Sequence, residues 1–369
     1  MEISVQVPEL ATALQRVQGI VEKKSAMPAL ANALITTHGQ DRISVSATDL
    51  EIGLTAEYPA EVHSPGAMTL GARALYDIVR SLPEKTVRLK QVQNQWVEIT
   101  CGKVKYRVVG LAPDGFPSLP TFDDVSTSPV DPGMLRDMIE KTLYAVSTDE
   151  TRYNLTGVYC EAVPEKPGLR MVATDGHRLS IVEREMKNPP ELEAGVIIPR
   201  KGLTEMKKLL EDKGDDAQLG YVDNSAVFQK NGVTLTMRLV DGRFPDYQQV
   251  IPGAANREIL LDRQRFQNAL KRTSLLSPDK AQGVKIELEA NQLMLSANNP
   301  DLGEAREELD VHYDGEALTI GFNFRYLLDV LSVLTDEEVV LKLTDELSPG
   351  VITPKDSTEY KAVIMPMRI

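Results

Sequence analysis

The sequence predicts an α+β protein of three similar domains, each a twofold β-α-β-β-β repeat with antiparallel sheets outside and two helices inside. Three observations predict it. A strand–turn–strand motif recurs about every 125 residues, roughly a third of the chain. Amphipathic helices recur in register with it, and alternating apolar–polar runs of strand type fill the intervals. Antiparallel sheets with their helices on one face satisfy that pattern.

The motif reads ISVSATDLEIGL at residues 43–54, ATDGHRL at 173–179 and LMLSANNPDLGEAREEL at 293–309. In the second copy Leu169, Met171 and Ala173 alternate before the turn, and Leu179 and Ile181 after it. Asp175-Gly176 between two such runs predicts a tight primed hairpin turn, because glycine accepts positive φ.

The first helix of each third lies at residues 7–21, 131–146 and 262–276. Their apolar stripes are Leu10, Leu14, Val17 and Val21; Leu135, Met138, Ile139 and Thr142; and Phe266, Ala269, Leu270 and Thr273. Spacings of three and four place each set on one helix face. Asp131 and Asp262 are expected N-caps, and Pro132 suits a first turn. The second helix of each third lies at residues 71–82, 199–212 and 322–334, each after a short apolar strand. Strands are expected near residues 87–90, 96–100, 103–109, 226–230, 233–239, 285–289 and 339–343. FPSLP (116–120) and FPDYQQVIP (244–252) close the first two thirds, and polar stretches at 123–131 and 252–257 are the expected linkers. The domains are therefore expected at residues 1–127, 128–255 and 256–369.

Composition narrows the function. The 369 residues carry a formal net charge of −13, which argues against a tight, basic nucleic-acid binder. Charge position still matters. The six helices hold a small basic excess, mostly in the fifth, against an acidic remainder. That suits weak, sequence-independent phosphate contact, with Arg73, Arg80, Arg136, Lys201 and Lys207 among the cations. Ordinary solvated helix faces account for the same charges. No apolar run approaches a membrane span. The start, MEISVQVPEL, alternates like a strand and lacks signal-peptide character. Cys101 and Cys160 are too few for a disulfide framework or zinc site and read as reduced thiols, so a cytoplasmic protein is expected.

Catalytic signatures are missing. There is no glycine-rich phosphate loop and no Gly-x-Ser-x-Gly elbow. His38, His63, His177 and His312 show no metal-ligand spacing. His177 near Asp175 invites an acid–base reading, but a histidine in a hairpin turn is usually a surface or packing residue. No enzyme activity, cofactor or metal is expected.

ATDGHRL, VIIPRKGL, RLVDGRFPDY, the IGFN-x-x-YLLDVL stretch and the terminal MPMRI together resemble the bacterial β sliding clamp family along the whole chain. The resemblance implies a processivity subunit of the replicative DNA polymerase. It implies a head-to-tail homodimer, a ring of six similar domains encircling duplex DNA with helices inward and tethering polymerase, clamp loader and repair proteins. A topological link explains an acidic total, since it holds DNA without tight contacts, and heterologous contacts that close make such rings.

The resemblance also implies a pocket for a short partner peptide between the second and third domains. Carried over by position, it uses Leu155, Thr174, Gly176, His177, Arg178, Leu179, Pro245, Val250, Asn323, Tyr326, Leu347, Val363, Ile364, Met365, Pro366, Met367 and Arg368. The residue types suit peptide binding. Soft methionines repack around different ligands, and Leu155, Leu179, Val250 and Val363 supply apolar walls. Pro366 ends the last strand so that the tail lines a groove. The chain departs from the family at Ala281 and Gln249, where an aromatic and a basic residue are frequent, and at Pro349 in place of a small polar residue; these bear on one wall. The implied ring contact sets Lys103, Lys105 and Tyr106 against Leu275, Leu276, Glu304, Glu307 and Glu308, with the apolar members carrying most of the affinity. Lys24 matches a basic family position facing DNA, and Arg152 and Tyr153 are expected in another inward loop. A monomeric peptide-binding scaffold and an enzyme using Asp175 and His177 are the competing readings. Oligomeric mass separates the first of these from a clamp, and full partner binding by a cofactor-free preparation removes the second.

Overall fold

The computed structural model describes every residue except Lys23, Lys24, residues 120–124, Glu165, Glu193, Ala254, residues 279–281 and Ile369. Lys24 and Ala281, both singled out above, therefore lie outside the described residues.

The first third runs β1 (Glu2–Gln6), α1 (Val7–Val17), β2 (Asn32–His38), β3 (Arg42–Thr48), β4 (Ile52–Pro59) and a short β5 (Glu61–Ser64). It continues with β6 (Ala67–Gly71), α2 (Ala72–Arg80), β7 (Thr86–Gln91), β8 (Trp96–Cys101) and β9 (Val104–Val109). The second holds β10 (Thr127–Pro129), α3 (Pro132–Leu143), β11 (Gly157–Ala162), β12 (Gly168–Thr174) and β13 (Arg178–Glu185). After them come β14 (Val196–Pro199), α4 (Arg200–Leu210), β15 (Gln218–Val222), β16 (Ser225–Lys230) and β17 (Val233–Arg238). The last holds β18 (Arg257–Asp262), α5 (Arg263–Thr273), β19 (Gly283–Glu289), β20 (Gln292–Asn299) and β21 (Gly303–Asp310). It ends with β22 (Leu318–Asn323), α6 (Phe324–Val333), β23 (Glu338–Leu343), β24 (Gly350–Pro354) and β25 (Tyr360–Ile364). Apart from β5 and short 3-10 turns, each third is β-α-β-β-β twice.

Apolar periodicity explains the helices. Leu135, Met138, Ile139 and Thr142 of α3 are at most 1% exposed, as are Phe266, Ala269, Leu270 and Thr273 of α5. Asp262 caps α5, its carboxylate accepting from the Arg265 amide at 2.7 Å. The first helix is shorter than its stripe suggested. It closes at Val17, and the Ile20 amide bonds back to the Val17 carbonyl in a tight turn through Gly19. Ile20 is buried there, and Val21 only half so.

The contacts divide the chain into two compact units, and the middle third is shared between them. The first unit comprises Met1–Pro132 and Lys201–Leu239. It holds a five-stranded sheet, β5-β1-β7-β8-β9, and an eight-stranded sheet, β10-β15-β16-β17-β4-β3-β2-β6. The second comprises Gly133–Arg200 and Val240–Ile369. It holds an eight-stranded sheet, β14-β11-β12-β13-β25-β24-β23-β18, and a four-stranded sheet, β21-β20-β19-β22.

One regularity underlies these orders. Both eight-stranded sheets form where the last strands of two half-repeats meet antiparallel, β17 with β4 and β13 with β25. Among the six half-repeats, β9 and β21 are the last strands left over. Among the described residues each is a sheet edge, paired only with β8 and β20 respectively.

Candidate functional site

The β12–β13 loop is wider than the two-residue turn expected. Thr174 pairs with Leu179, so four residues intervene. Side chains explain the width. The Thr174 hydroxyl accepts from the Gly176 amide at 3.1 Å and donates to the Arg178 carbonyl at 2.6 Å. The Asp175 carboxylate accepts from the amides of His177 and Arg178 at 2.9 and 3.1 Å. Such local bonds replace those of a tight turn. Gly176 sits at φ +90°, a conformation a Cβ would strain. His177 is left exposed at the tip.

Arg178 turns inward from this loop. Its guanidinium donates to Asp175 at 3.0 Å, to Asp329 of α6, and to the Tyr144 carbonyl at 2.6 Å. It lies 4.5 Å from the centre of the Tyr326 ring and 5.2 Å from that of Tyr144. Burial alone lowers its proton affinity, but the two aspartates more than offset this and the net shift is upward. Tyr326 is pushed up, first by burial and then by Asp175. Its ring stacks on His177 at 6.4 Å. Arg178 is therefore held in one orientation as a strut by its own chain. Sequence reasoning misses Asp329 and Tyr144. Asp329 stands one helical turn beyond Tyr326, but nothing in YLLDVL names an arginine 151 residues away as its partner.

The tail runs beside the loop. β25 pairs with β13 so that Arg178 faces Ile364 and Leu179 faces Val363. Beyond it, the Met365 amide donates to the His177 carbonyl and the Met367 amide to the Gly321 carbonyl, both at 2.9 Å. Met365, Pro366 and Met367 are half-buried, and Arg368 is exposed. Asn323 caps α6 through the Arg325 amide at 2.9 Å. Leu155, Leu179 and Val363 are buried in one apolar cluster with Val172, Ile181, Ile197, Phe244, Tyr247 and Val351. Thus loop, helix start and tail are brought together over an apolar floor.

Other expected pocket residues sit farther out. Leu347 is 73% exposed on a loop shaped by Asp345, which accepts from the Leu347 and Ser348 amides. Pro245 and Val250 are exposed beside the buried Phe244 and Tyr247. Gln249 bonds Asp246 at 2.9 Å. Pro349 lines a 210 Å³ cavity with Ile251, Pro252 and Val351. Tyr247 anchors this edge. Its hydroxyl meets Arg170 at 3.0 Å, and burial and Glu161 push its pKa up to about 12.

Of Arg152 and Tyr153, expected to face DNA, the first borders the β12–β13 loop and the second borders Gly242. A Cβ on Gly176 would lie 2.8 Å from an Arg152 nitrogen, and one on Gly242 2.9 Å from the Tyr153 ring. Arg152 also pairs with Asp149 at 3.1 Å. Arg136 pairs with Glu140 at 3.1 Å, and Lys201 is tied to the buried Asp49 and the Ile20 carbonyl. Arg73 and Arg80 are exposed on α2, with Arg80 over the Tyr76 ring; Lys207 is half-buried on α4.

The expected ring-contact residues fall at the two leftover edges, except Leu275 and Leu276, which lie in a 3-10 turn after α5. Lys103, Lys105 and Tyr106 lie at β9 and are exposed. Glu304 and Glu308 are exposed on β21, whereas Glu307 is engaged by Arg272 of its own chain, which holds its carboxyl below the usual range. Leu275 is 76% exposed; Leu276 is half-buried. Cys101 and Cys160 are buried free thiols. Among the described residues no acidic, histidine or cysteine cluster has metal-site geometry, and no helix is long and apolar enough to cross a membrane.

Asp329→Asn tests the strut. Removing one of two carboxylates on Arg178 is expected to lower stability by at most about 1 kcal/mol, since an exposed partner is well screened. Thermal unfolding reads this as a small fall in Tm at unchanged oligomeric mass. An unaltered Tm shows that the pair contributes nothing.

Three consecutive family models of the DNA polymerase III beta subunit match the chain: N-terminal domain at residues 1–120, central domain at 129–246 and C-terminal domain at 248–368. The beta sliding clamps of Pseudomonas putida and Caulobacter vibrioides are each 36% identical over 373 aligned residues, covering 100% of both chains. A crystal structure of DNA polymerase III subunit beta from Pseudomonas aeruginosa superposes with a TM-score of 0.93 at 34% identity. A sliding clamp from Bartonella birtlesii bound to griselimycin does so with 0.94 at 37%. Both superpositions cover 100% of each chain.

Proposed function

The chain belongs to the family of bacterial DNA polymerase III beta subunits, the sliding clamps, and we propose that two copies pair head to tail into a closed ring around duplex DNA. As a DNA sliding clamp it is a processivity factor without catalytic activity of its own. One observation carries the ring. Last strands pair at two junctions within the chain, and β9 and β21 remain as open edges. An open edge is a template for another strand. Lys103, Lys105 and Arg107 on one edge complement Glu304 and Glu308 on the other. Pairing β9 of one copy with β21 of the next repeats the internal junction and closes a ring after two copies.

In this reading the domains are residues 1–127, 128–255 and 256–369, and the helices face the DNA. Many helix cations already have carboxylate partners, such as Arg16 with Asp212 and Lys141 with Asp137. DNA contact is then weak and salt-sensitive, as sliding requires. Lys24, Arg73, Arg80, Arg136, Lys201 and Lys207 contribute to it. Arg152 and Tyr153 stand where DNA contact and the groove rim meet. The groove between the β12–β13 loop, α6 and the tail takes a short hydrophobic–acidic peptide carried by polymerase, clamp loader and repair proteins. The half-buried methionines adapt to different partners. The setting is the cytoplasm.

The test is topological. Loaded on nicked circular DNA, the protein is expected to stay bound, and to run off once the circle is linearised. Equal retention on both forms overturns the ring.

A further inference from the structure

The β3–β4 loop carries a second copy of the groove's loop. The Thr48 hydroxyl accepts from the Leu50 amide and donates to the Ile52 carbonyl, both at 2.9 Å. The Asp49 carboxylate accepts from the amides of Glu51 and Ile52 at 2.9 and 2.7 Å. These are the bonds of Thr174 and Asp175, atom for atom. Leu50 even adopts the left-handed conformation of Gly176, at φ +79°. The strands extend the match. Thr48 pairs with Gly53 as Thr174 pairs with Leu179, and Gly53 pairs with Thr236 across the β4–β17 junction as Leu179 pairs with Val363.

At the floor, therefore, the copy has Gly53 and Thr236 where the tail groove has Leu179 and Val363. The missing side chain is replaced from elsewhere. A Cβ on Gly53 would lie 2.8 Å from the Leu119 Cδ2 and 2.8 Å from the Thr236 hydroxyl. Leu119 follows Phe116, which is buried, so residues 116–119 cross the sheet here. Leu119 borders a 310 Å³ cavity that reaches Leu50 and Arg238, and also a 780 Å³ cavity that reaches His38 and Arg42. Pro117 and Ser118 line both cavities with it.

We propose that residues 116–119 are the built-in occupant of this second groove, with Leu119 as the inserted leucine, and that this limits each protomer to one partner peptide. The proposal rests on the reading that the tail groove takes peptides. A segment tethered in cis competes at an effective concentration in the millimolar range. A free peptide gains little against such a tethered competitor.

Titration of the full-length protein with a labelled peptide combining leucines and one acidic residue tests this. The parent is expected to bind one peptide per protomer. Leu119→Ala is expected to add a second event, about tenfold weaker, which persists when residues 365–369 are also deleted. Gly53→Leu in the Leu119→Ala background restores the side chain from the floor and is expected to abolish the second event. Unchanged affinity at the first site shows that Leu119→Ala is folded. A variant that still binds one peptide per protomer overturns the proposal alone. A parent that binds none overturns the tail-groove reading and this proposal with it.

Discussion

A variant with Leu275 and Leu276 replaced by alanine is expected to sediment as a monomer at concentrations where the parent is a dimer. Leu275 is 76% exposed in the protomer, beside the open edge of β21, and the apolar surface it leaves in water needs a cover. Fully burying a leucine side chain contributes about 1.5–3 kcal/mol. A two-copy ring has two identical contacts, so its loss counts twice, about 3–6 kcal/mol for the dimer. That corresponds to roughly a hundred- to ten-thousandfold in the dimer Kd. Leu276 differs, because it is already half-buried in its own chain and its truncation also loosens the protomer. Leu275→Ala alone should therefore carry most of the effect, and a dimer unchanged by it places the contact elsewhere.

The helices and most strands are legible in the sequence because apolar periodicity is a local property. The α3 and α5 stripes are buried as their spacing predicts. What is illegible depends on partners far away in the chain. The β17–β4 and β13–β25 junctions place half-repeats in sheets that ignore chain order, and so the middle third divides between two units. The ATDGHRL turn is recognisable as a hairpin, but its width follows from side-chain bonds of Thr174 and Asp175 that compete with a tight turn. By position in the family Arg178 is a wall of the groove. Three of its five N–H donors are engaged by Asp175, Asp329 and Tyr144, and a substitution there is expected to disturb the fold as well as the peptide. Likewise Glu307 is by position a partner across the ring, yet Arg272 of the same chain holds it. Side-chain identity announces the charge in each case; only the fold decides which opposite charge reaches it first.

Removing residues 365–369 is expected to weaken binding of a short hydrophobic–acidic peptide at least about tenfold, or roughly 1.4 kcal/mol. Two backbone bonds disappear, from Met365 to His177 and from Met367 to Gly321, together with both thioethers. Met367 packs its sulfur end toward Gly283, 3.6 Å from where a Cβ would stand, so its loss opens the side of the groove nearest β19. The floor remains. Val363 and Ile364 stay paired with Leu179 and Arg178 in the sheet, and the buried cluster around Leu155 needs no residue beyond them. Neither β9 nor β21 is touched, so the dimer and its retention on circular DNA should be unaffected. A peptide anchor of this apolar kind contributes on the order of 1–3 kcal/mol when well buried, and two methionines leave together. Fluorescence anisotropy with the labelled peptide measures the loss directly. Full affinity after truncation places the peptide away from the tail, while a lost dimer shows that the tail supports the protomer rather than the groove.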